Sequence, residues 1–167
     1  MPYPEKFTGF QIHSHDAWTD FHKNEFQPKP FEDFDVDVEV EACGICGSDL
    51  LLINGSWGQQ ELPIAVGHGM SGKRGGTVNY FTAFCPSPSA EIIGRAVRVG
   101  PKVTLIKPGD RVGIGAQCWS CLDCKQCKNN NETYCKDQAD TYGHKWPETG
   151  IVSQGGYSSH VRAHEWW

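Results

Sequence analysis

The chain has 167 residues, of which 38% are hydrophobic and 21% charged, and its formal net charge at pH 7 is −5. This length suits one domain, and the acidity argues against nucleic acid and anionic membranes as partners, because both attract basic surfaces. No apolar run approaches the roughly 20 residues of a membrane span, and Met1-Pro2-Tyr3-Pro4 begins without the apolar stretch of a signal peptide. We therefore expect a cytoplasmic protein whose cysteines stay reduced.

Short strands separated by turns dominate the predicted elements. Valine and acid alternate from Asp35 to Ala42, which predicts a strand with buried valines and a solvated acidic face. A brief helix is predicted from Ser48 to Asn54, ended by the glycine that follows. Two further strands are predicted over Glu91 to Val99 and Arg111 to Ala116, with a tight turn at Lys107-Pro108-Gly109-Asp110 between them. The sequence therefore predicts a mainly β domain.

The segment 69–90 differs in composition from the rest of the chain. It is rich in glycine, contains two basic residues and a Pro-Ser-Pro-Ser run, and has no acidic residue. Irregular segments longer than about 12 to 15 residues are uncommon in compact domains and are usually functional or disordered. We therefore expect 69–90 to be an insertion.

Four cysteines have the spacing Cys121-x2-Cys124-x2-Cys127-x7-Cys135. A short loop with this spacing can offer four thiolates to one ion, and a closed four-sulfur shell is typical of structural zinc. Disulfides would require a secreted chain, iron–sulfur clusters usually follow other spacings, and nucleic-acid zinc ribbons usually have two separated cysteine pairs. We predict a structural zinc loop over 118–136, with Cys118 as a buried or spare thiol.

Five motifs then occur in one order along the chain. They are Cys43-Gly44-Ile45-Cys46-Gly47-Ser48-Asp49, Gly67-His68, Gly109 to Gly115, the four-cysteine loop, and Gln154-Gly155-Gly156-Tyr157. With these motifs the chain resembles zinc-dependent medium-chain alcohol dehydrogenases, in particular the cinnamyl alcohol dehydrogenase group and its fungal NADP-dependent members. The resemblance covers essentially the whole chain outside 69–90. It implies that 1–167 form a GroES-like, partly open β-barrel with short helices, the catalytic domain of these enzymes.

The resemblance also implies roles for single residues. Cys46 and His68 match two ligands of the catalytic zinc, and Ser48 matches the hydroxyl that passes the alcohol proton outward. Gly47 and Ser48 match positions close to the cofactor, and Gly47 departs from the histidine common in plant relatives, which argues against a histidine-based relay. Trp57 matches a residue lining the substrate pocket, and its alternative role is that of a core aromatic residue.

The activity implied by the resemblance is the interconversion of primary alcohols and aldehydes with NADP(H), zinc polarising the substrate oxygen. The complete enzyme is expected to be a homodimer. The sequence ends before the third zinc-ligand cysteine and the Rossmann cofactor domain of the family. We therefore expect a truncated catalytic domain that holds one tight zinc and is inactive alone. The alternative is a non-catalytic zinc-binding fragment, and a zinc-ribbon nucleic-acid binder is a weaker alternative that the net charge opposes.

Glu91 matches the catalytic-site glutamate that follows the zinc histidine in the family. Removing 69–90 would restore Gly67-His68-Glu91-Ile92-Ile93-Gly94, the order of the family. One hypothesis is a retained in-frame intron, because Gly69-Met70-Ser71 can be encoded with the fungal-type donor GTATGT and Ala90-Glu91 with an acceptor AG. A natural insertion is the alternative, and a genomic sequence without these splice signals would contradict the intron.

Overall fold

A computed structural model describes residues 3–68 and 92–167. The elements of these residues are β1 (Phe7–Gln11), β2 (His22–Phe26), β3 (Asp35–Cys43), α1 (Gly47–Ile53), β4 (Ile92–Val99), β5 (Arg111–Ile114), β6 (Gln117–Trp119), α2 (Lys125–Lys128), the 3-10 helix η1 (Glu132–Tyr134), β7 (Ala139–Asp140) and β8 (His160–His164). The predicted mainly β class is confirmed. Glu91 and the segment 69–90 lie outside the described residues.

A four-stranded antiparallel sheet in the order β5-β4-β3-β8 forms the centre of the fold. The pairs β1–β2 and β6–β7 form two small antiparallel sheets beside it. Backbone pairing between Gly9 and Ser158, and the 2.7 Å hydrogen bond from the Ser159 amide to the Thr8 carbonyl, joins β1 to the chain leading into β8. Backbone hydrogen bonds therefore connect the β1–β2 sheet to the segment that leads into the central sheet.

Two groups of buried apolar side chains make up the core. The first lies on the inner face of the central sheet and includes Val36, Val38, Ile92, Ala96, Val112, Ile114, Val161 and Ala163. The second lies under α1 and contains Ile12, Leu52, Ile53, Ile64, Val66 and Tyr142. Burial of these side chains removes apolar surface from water and fixes α1 against the loop that ends at His68.

The prediction of a solvated acidic face on β3 is wrong for the first half of the strand. Asp35 and Asp37 have exposed fractions of 1% and 0%. The Lys29 Nζ lies 2.5 Å from Asp35 Oδ2, and the Arg162 Nε lies 2.6 Å from Asp37 Oδ1. Lys29, six residues before Asp35, and Arg162 on the distant strand β8 therefore cover these carboxylates. The pairing offsets the cost of burying the charge. The glutamates further along the strand are exposed as predicted.

The predicted helix and turn agree with the structure. Helix α1 begins one residue before the predicted start, and Gly55, with φ of +74°, follows its end. At the predicted turn, the Asp110 amide donates a 3.1 Å hydrogen bond to the Lys107 carbonyl, and Gly109 has φ of +92°. Positive φ at this position is favourable for glycine, which has no Cβ. Among the described residues, no helix combines the length and apolar character needed to cross a bilayer.

Candidate metal centres

The four cysteines of the predicted zinc loop converge on one point. All four Sγ atoms lie within 4.8 Å of one another. The Sγ–Sγ distances include 3.4 Å for Cys121–Cys135, 3.5 Å for Cys124–Cys127, 3.9 Å for Cys124–Cys135 and 4.0 Å for Cys121–Cys127. Four thiolates bound to zinc at about 2.3 Å stand about 3.8 Å apart at the corners of a tetrahedron. The sulfur positions therefore fit a four-coordinate ion.

Local backbone geometry brings these sulfurs together. Leu122 and Asn130 both have positive φ, 54° and 60°, and each lies between two cysteines of the cluster. Cys124 is the N-cap residue directly before α2 and Cys127 lies on the helix, so the first turn puts both thiols on one side. Cys135 directly follows η1. The loop thus needs few contacts outside its own sequence to form the site.

The environments of the four thiols differ in their effect on the pKa. Backbone N–H groups of Asp123 and Cys124 lower the pKa of Cys121 to about 7. Burial raises the pKa of Cys135 to about 12. A bound cation would favour the thiolate form of all four groups, because metal binding requires their deprotonation. Cys118 lies outside the cluster, and it is buried with an exposed fraction of 2%, as predicted for a spare thiol.

A second centre is organised by Asp49, whose carboxylate joins the segments carrying Cys46 and His68. The Cys46 amide donates to Asp49 Oδ2 at 3.0 Å, and the Gly67 amide donates to Oδ1 at 3.1 Å. The Tyr157 hydroxyl donates to Oδ2 at 3.0 Å. Asp49 has an exposed fraction of 1%, so these donors replace water around its charge. One carboxylate therefore fixes the backbone of both predicted ligands.

Gly67 allows the chain to turn directly before His68. Its φ is +106°, a value that favours glycine. A Cβ at this position would lie 2.8 Å from Cys43 Sγ and 2.9 Å from the Tyr157 amide nitrogen. The close approach of three segments at Gly67 therefore excludes any larger residue without displacement of its neighbours.

Ser48 and His68 are in direct contact in this second centre. The distance from Ser48 Oγ to His68 Nε2 is 2.9 Å, and His68 is buried with an exposed fraction of 9%. The ring centroids of His68 and Tyr142 are 4.6 Å apart. The Tyr142 hydroxyl is buried, and within residues 3–68 and 92–167 no group meets it with the geometry of a hydrogen bond. The structure thus adds Tyr142 and Asp49 to the residues that the sequence motifs indicated.

Neither of these added residues could be assigned from the sequence. Asp49 is part of the first motif, but nothing in the motif indicates that its carboxylate bridges two segments. Tyr142 follows β7 in a stretch without a recognisable motif. Their positions depend on how α1 packs against the loops ending at His68 and following β7. The contact of Asp49 with Cys46 is a local capping interaction three residues apart, whereas its contact with Gly67 and the position of Tyr142 depend on long-range packing.

The remaining predicted site residues are placed as follows. A Cβ on Gly47 would have no atom within 4 Å, so the first turn of α1 has open space beside it. Trp57 has an exposed fraction of 59%. It does not line the apolar groove beside Asp49, whose lining includes Phe10, Trp18, Ile45 and Leu50. Among residues 3–68 and 92–167, the four cysteines are the single group of three or more potential ligands close enough to hold an ion.

Comparison with known proteins decides the family. Residues 32–73 and 74–167 match the family described as the alcohol dehydrogenase GroES-like domain. The chain belongs to this family. The resemblance inferred from the five motifs is therefore confirmed, and so is the GroES-like fold expected from it.

Two relatives of this alcohol dehydrogenase GroES-like domain illustrate the extent of the match. NADP-dependent alcohol dehydrogenase 6 of Saccharomyces cerevisiae is 45% identical over 166 residues, which cover 99% of the chain and 40% of the relative. A probable cinnamyl alcohol dehydrogenase 6 of Oryza sativa is 36% identical over 132 residues, covering 78% of the chain and 30% of the relative. The chain thus spans less than half the length of these relatives.

Solved structures match the same domain. A CAD from Helicobacter pylori complexed with NADP(H) has a TM-score of 0.77 and 28% identity, with 96% of the chain and 40% of that structure covered. A cinnamyl alcohol dehydrogenase from Sorghum bicolor has a TM-score of 0.76 and 27% identity, covering 96% of the chain and 39% of that structure. The alcohol dehydrogenase GroES-like domain described here therefore corresponds to part of each of these larger chains.

Proposed function

We propose that this domain is the zinc- and substrate-binding part of an oxidoreductase that interconverts primary alcohols and aldehydes with NADP(H). The observation that carries the proposal is the Asp49 bridge, which holds the Cys46 and His68 segments together beside the Ser48 hydroxyl. Membership of the alcohol dehydrogenase family supports the reaction class. The name of the yeast relative and the NADP(H) complex of the Helicobacter pylori structure support the choice of cofactor.

The proposal assigns one role to each metal centre. Cys121, Cys124, Cys127 and Cys135 would hold a structural zinc, because four thiolates form a closed shell. Cys46 and His68 would provide two ligands of an open site, since a thiolate and an imidazole are ligand types of catalytic zinc. In this open site zinc would supply Lewis acidity to the substrate oxygen, and NADP(H) would exchange the hydride. Glu91, the pocket residue Trp57 and the homodimer of the complete enzyme stay predictions from the resemblance.

The chain's own residues would orient the substrate and move its proton. Ser48 Oγ lies 2.9 Å from His68 Nε2, so the Ser48 hydroxyl would be adjacent to an ion bound by that imidazole. A hydroxyl can accept a hydrogen bond from the alcohol and at the same time donate its own proton to another group. Ser48 is therefore suited to pass the alcohol proton outward. Asp49 would keep the two ligand segments in register, and Gly47 leaves space beside α1 for the cofactor.

Cobalt substitution tests the proposal on the chain itself. The four-cysteine loop is first filled with one equivalent of Zn²⁺, and Co²⁺ is then added as an optical probe of a second site. We expect a thiolate-to-cobalt absorption that Cys46→Ser removes. Cys43→Ser is the matched control, because this thiol lies three residues away and has no proposed ligand role. Addition of an aromatic aldehyde should change the cobalt spectrum of the wild-type chain.

Two outcomes would contradict the proposal. Absence of any Cys46-dependent cobalt absorption would exclude the open site. A cobalt spectrum that is present but unchanged by aldehydes and primary alcohols would favour the alternative of a zinc-binding module without a catalytic role.

A further inference from the structure

Tyr142 carries a buried hydroxyl that the fold leaves unpaired. Its exposed fraction is 5%, and its ring packs in the apolar cluster under α1. Among the described residues, its hydroxyl and Asp35 Oδ1 are the buried side-chain polar atoms without a hydrogen-bond partner. Burial of an unpaired hydroxyl destabilises a fold, so a buried polar atom of this kind calls for a physical explanation.

The surroundings of the hydroxyl belong to the second metal centre. The Tyr142 ring lies against His68, with 4.6 Å between the ring centroids. Ser48 and Asp49 are the polar side chains that interact with the Tyr142 hydroxyl, at a geometry that falls short of a regular hydrogen bond. The hydroxyl therefore lies close to both Ser48 and Asp49, and a phenol carries its proton at neutral pH. It is available as a hydrogen-bond donor at this centre.

The bond between Ser48 and His68 cannot coexist with an ion on the same nitrogen. Ser48 Oγ is 2.9 Å from His68 Nε2. In one tautomer this nitrogen accepts from Ser48 through its lone pair, and in the other it donates its proton. A metal at Nε2 requires the lone pair and the absence of the proton, so either form of the bond is lost. Ser48 would then need another partner.

We propose that Tyr142 is the alternative partner of Ser48, with its hydroxyl donating to Ser48 Oγ when His68 Nε2 binds an ion. This inference rests on the proposed open metal site and adds a positioning residue to it. Once Ser48 accepts from Tyr142, its own proton must point away from Tyr142. Tyr142 thereby acts through Ser48 and orients the hydroxyl next to the bound ligand. The unpaired hydroxyl is the feature of the ion-free centre that this exchange explains.

Tyr142→Phe should not lower the stability of the domain without a second ion, but it should weaken the binding of that ion. With zinc at the four-cysteine loop and no second ion, the variant should be as stable to urea as the wild type or more stable, because it loses an unpaired hydroxyl. Its affinity for Co²⁺ at the Cys46 site should fall about three- to tenfold, as expected for the loss of one hydrogen bond from the ion-bound state. Tyr134→Phe is the matched control, since Tyr134 is 75% exposed and lies in η1 of the four-cysteine loop.

A double-variant comparison separates positioning from packing. In a Ser48→Ala background Tyr142→Phe should change the Co²⁺ affinity by less than about twofold, because Tyr142 acts through the Ser48 oxygen. A purely structural role of Tyr142 would give the same loss in both backgrounds.

The possible failures are distinguishable. If the wild-type chain has no Cys46-dependent cobalt absorption, the proposed function fails and this inference fails with it. If the wild-type chain binds Co²⁺ at that site but Tyr142→Phe binds it equally well, only the inference is overturned. The same conclusion follows if Tyr142→Phe unfolds or is destabilised without a second ion, because an unpaired hydroxyl cannot provide stability.

Discussion

The Tyr157 hydroxyl donates a 3.0 Å hydrogen bond to Oδ2 of Asp49 across 108 positions of the chain. The same carboxylate accepts from the backbone of Cys46 and Gly67. The segment leading into β8 therefore supports the geometry of two loops that are much earlier in the sequence. A perturbation at Tyr157 should reach Cys46 and His68 through Asp49.

Asp49→Asn tests the importance of the bridge. The substituted amide presents N–H donors where the protein also presents donors, so at least one buried group loses its partner. We expect the free energy of unfolding to fall by about 2 to 3 kcal/mol, measured by urea denaturation. Asp33→Asn is the control, because the Asp33 side chain is 53% exposed in its ion pair with Lys102, and it should change stability by less than about 0.5 kcal/mol.

Tyr157→Phe removes one of the three donors and leaves the carboxylate. Its expected cost is about 1 kcal/mol, and it should cost less in the Asp49→Asn background, where the 3.3 Å contact of the hydroxyl with the Gly44 carbonyl remains. Additive costs in the double variant would show that the Tyr157 hydroxyl contributes elsewhere.

Gly67→Ala should distort the segment that carries His68. An added Cβ meets both positive φ and a 2.8 Å approach to Cys43 Sγ, and we expect a loss of roughly 3 kcal/mol or more. Gly58→Ala is the matched control, since Gly58 has φ of +99° but no atom within 4 Å of an added Cβ. The control should show backbone strain alone, about 1 to 2 kcal/mol. Equal losses in urea denaturation would contradict the crowding argument.

Cys127→Ser should remove the metal from the four-cysteine loop. A structural ion binds the folded loop and not the unfolded chain, so its loss lowers stability. We expect bound zinc, measured by elemental analysis, to fall to near zero and the Tm to fall by roughly 10 °C or more. Cys118→Ala should retain the zinc, because Cys118 lies outside the cluster. A chelator should lower the Tm of the wild type but not that of Cys127→Ser.

His164 should make stability depend on pH. Burial lowers its pKa in the folded state below the ordinary value of 6.5, although Glu165 opposes this shift. Its contribution is therefore fully present above about pH 6.5 and is lost as the pH falls toward the folded-state pKa. Between about pH 7.5 and about pH 5.5, His164→Gln should lose less stability in urea denaturation than the wild type, by at most about 1.4 kcal/mol per pH unit.

Part of the pH dependence should remain in this variant, because burial also lowers the pKa values of His144 and His160. Above about pH 7.5 the wild type and His164→Gln should show parallel stability profiles, since the histidine is neutral in both states there. A steeper loss of stability on acidification in His164→Gln than in the wild type would contradict the assigned direction of the shift.

Local features of this domain were predictable from the sequence because their geometry depends on neighbouring residues. The spacing of Cys121, Cys124, Cys127 and Cys135 leads to a converging set of thiols, since short turns and one helical turn bring them together. The ends of α1 and the turn at Lys107 to Asp110 follow from glycine and proline at defined positions. The order of the motifs was sufficient to indicate the family.

The tertiary structure decided what depends on distant segments. Asp37 is buried against Arg162, which lies 125 positions later in the chain, and an alternating strand pattern contains no information about such a partner. The bridging role of Asp49 and the unpaired hydroxyl of Tyr142 likewise arise where α1 meets loops from both halves of the chain. The sequence alone thus determined which metal-binding residue types are present, and the packing determined which groups hold the second centre together, because burial and pairing of charge are long-range properties.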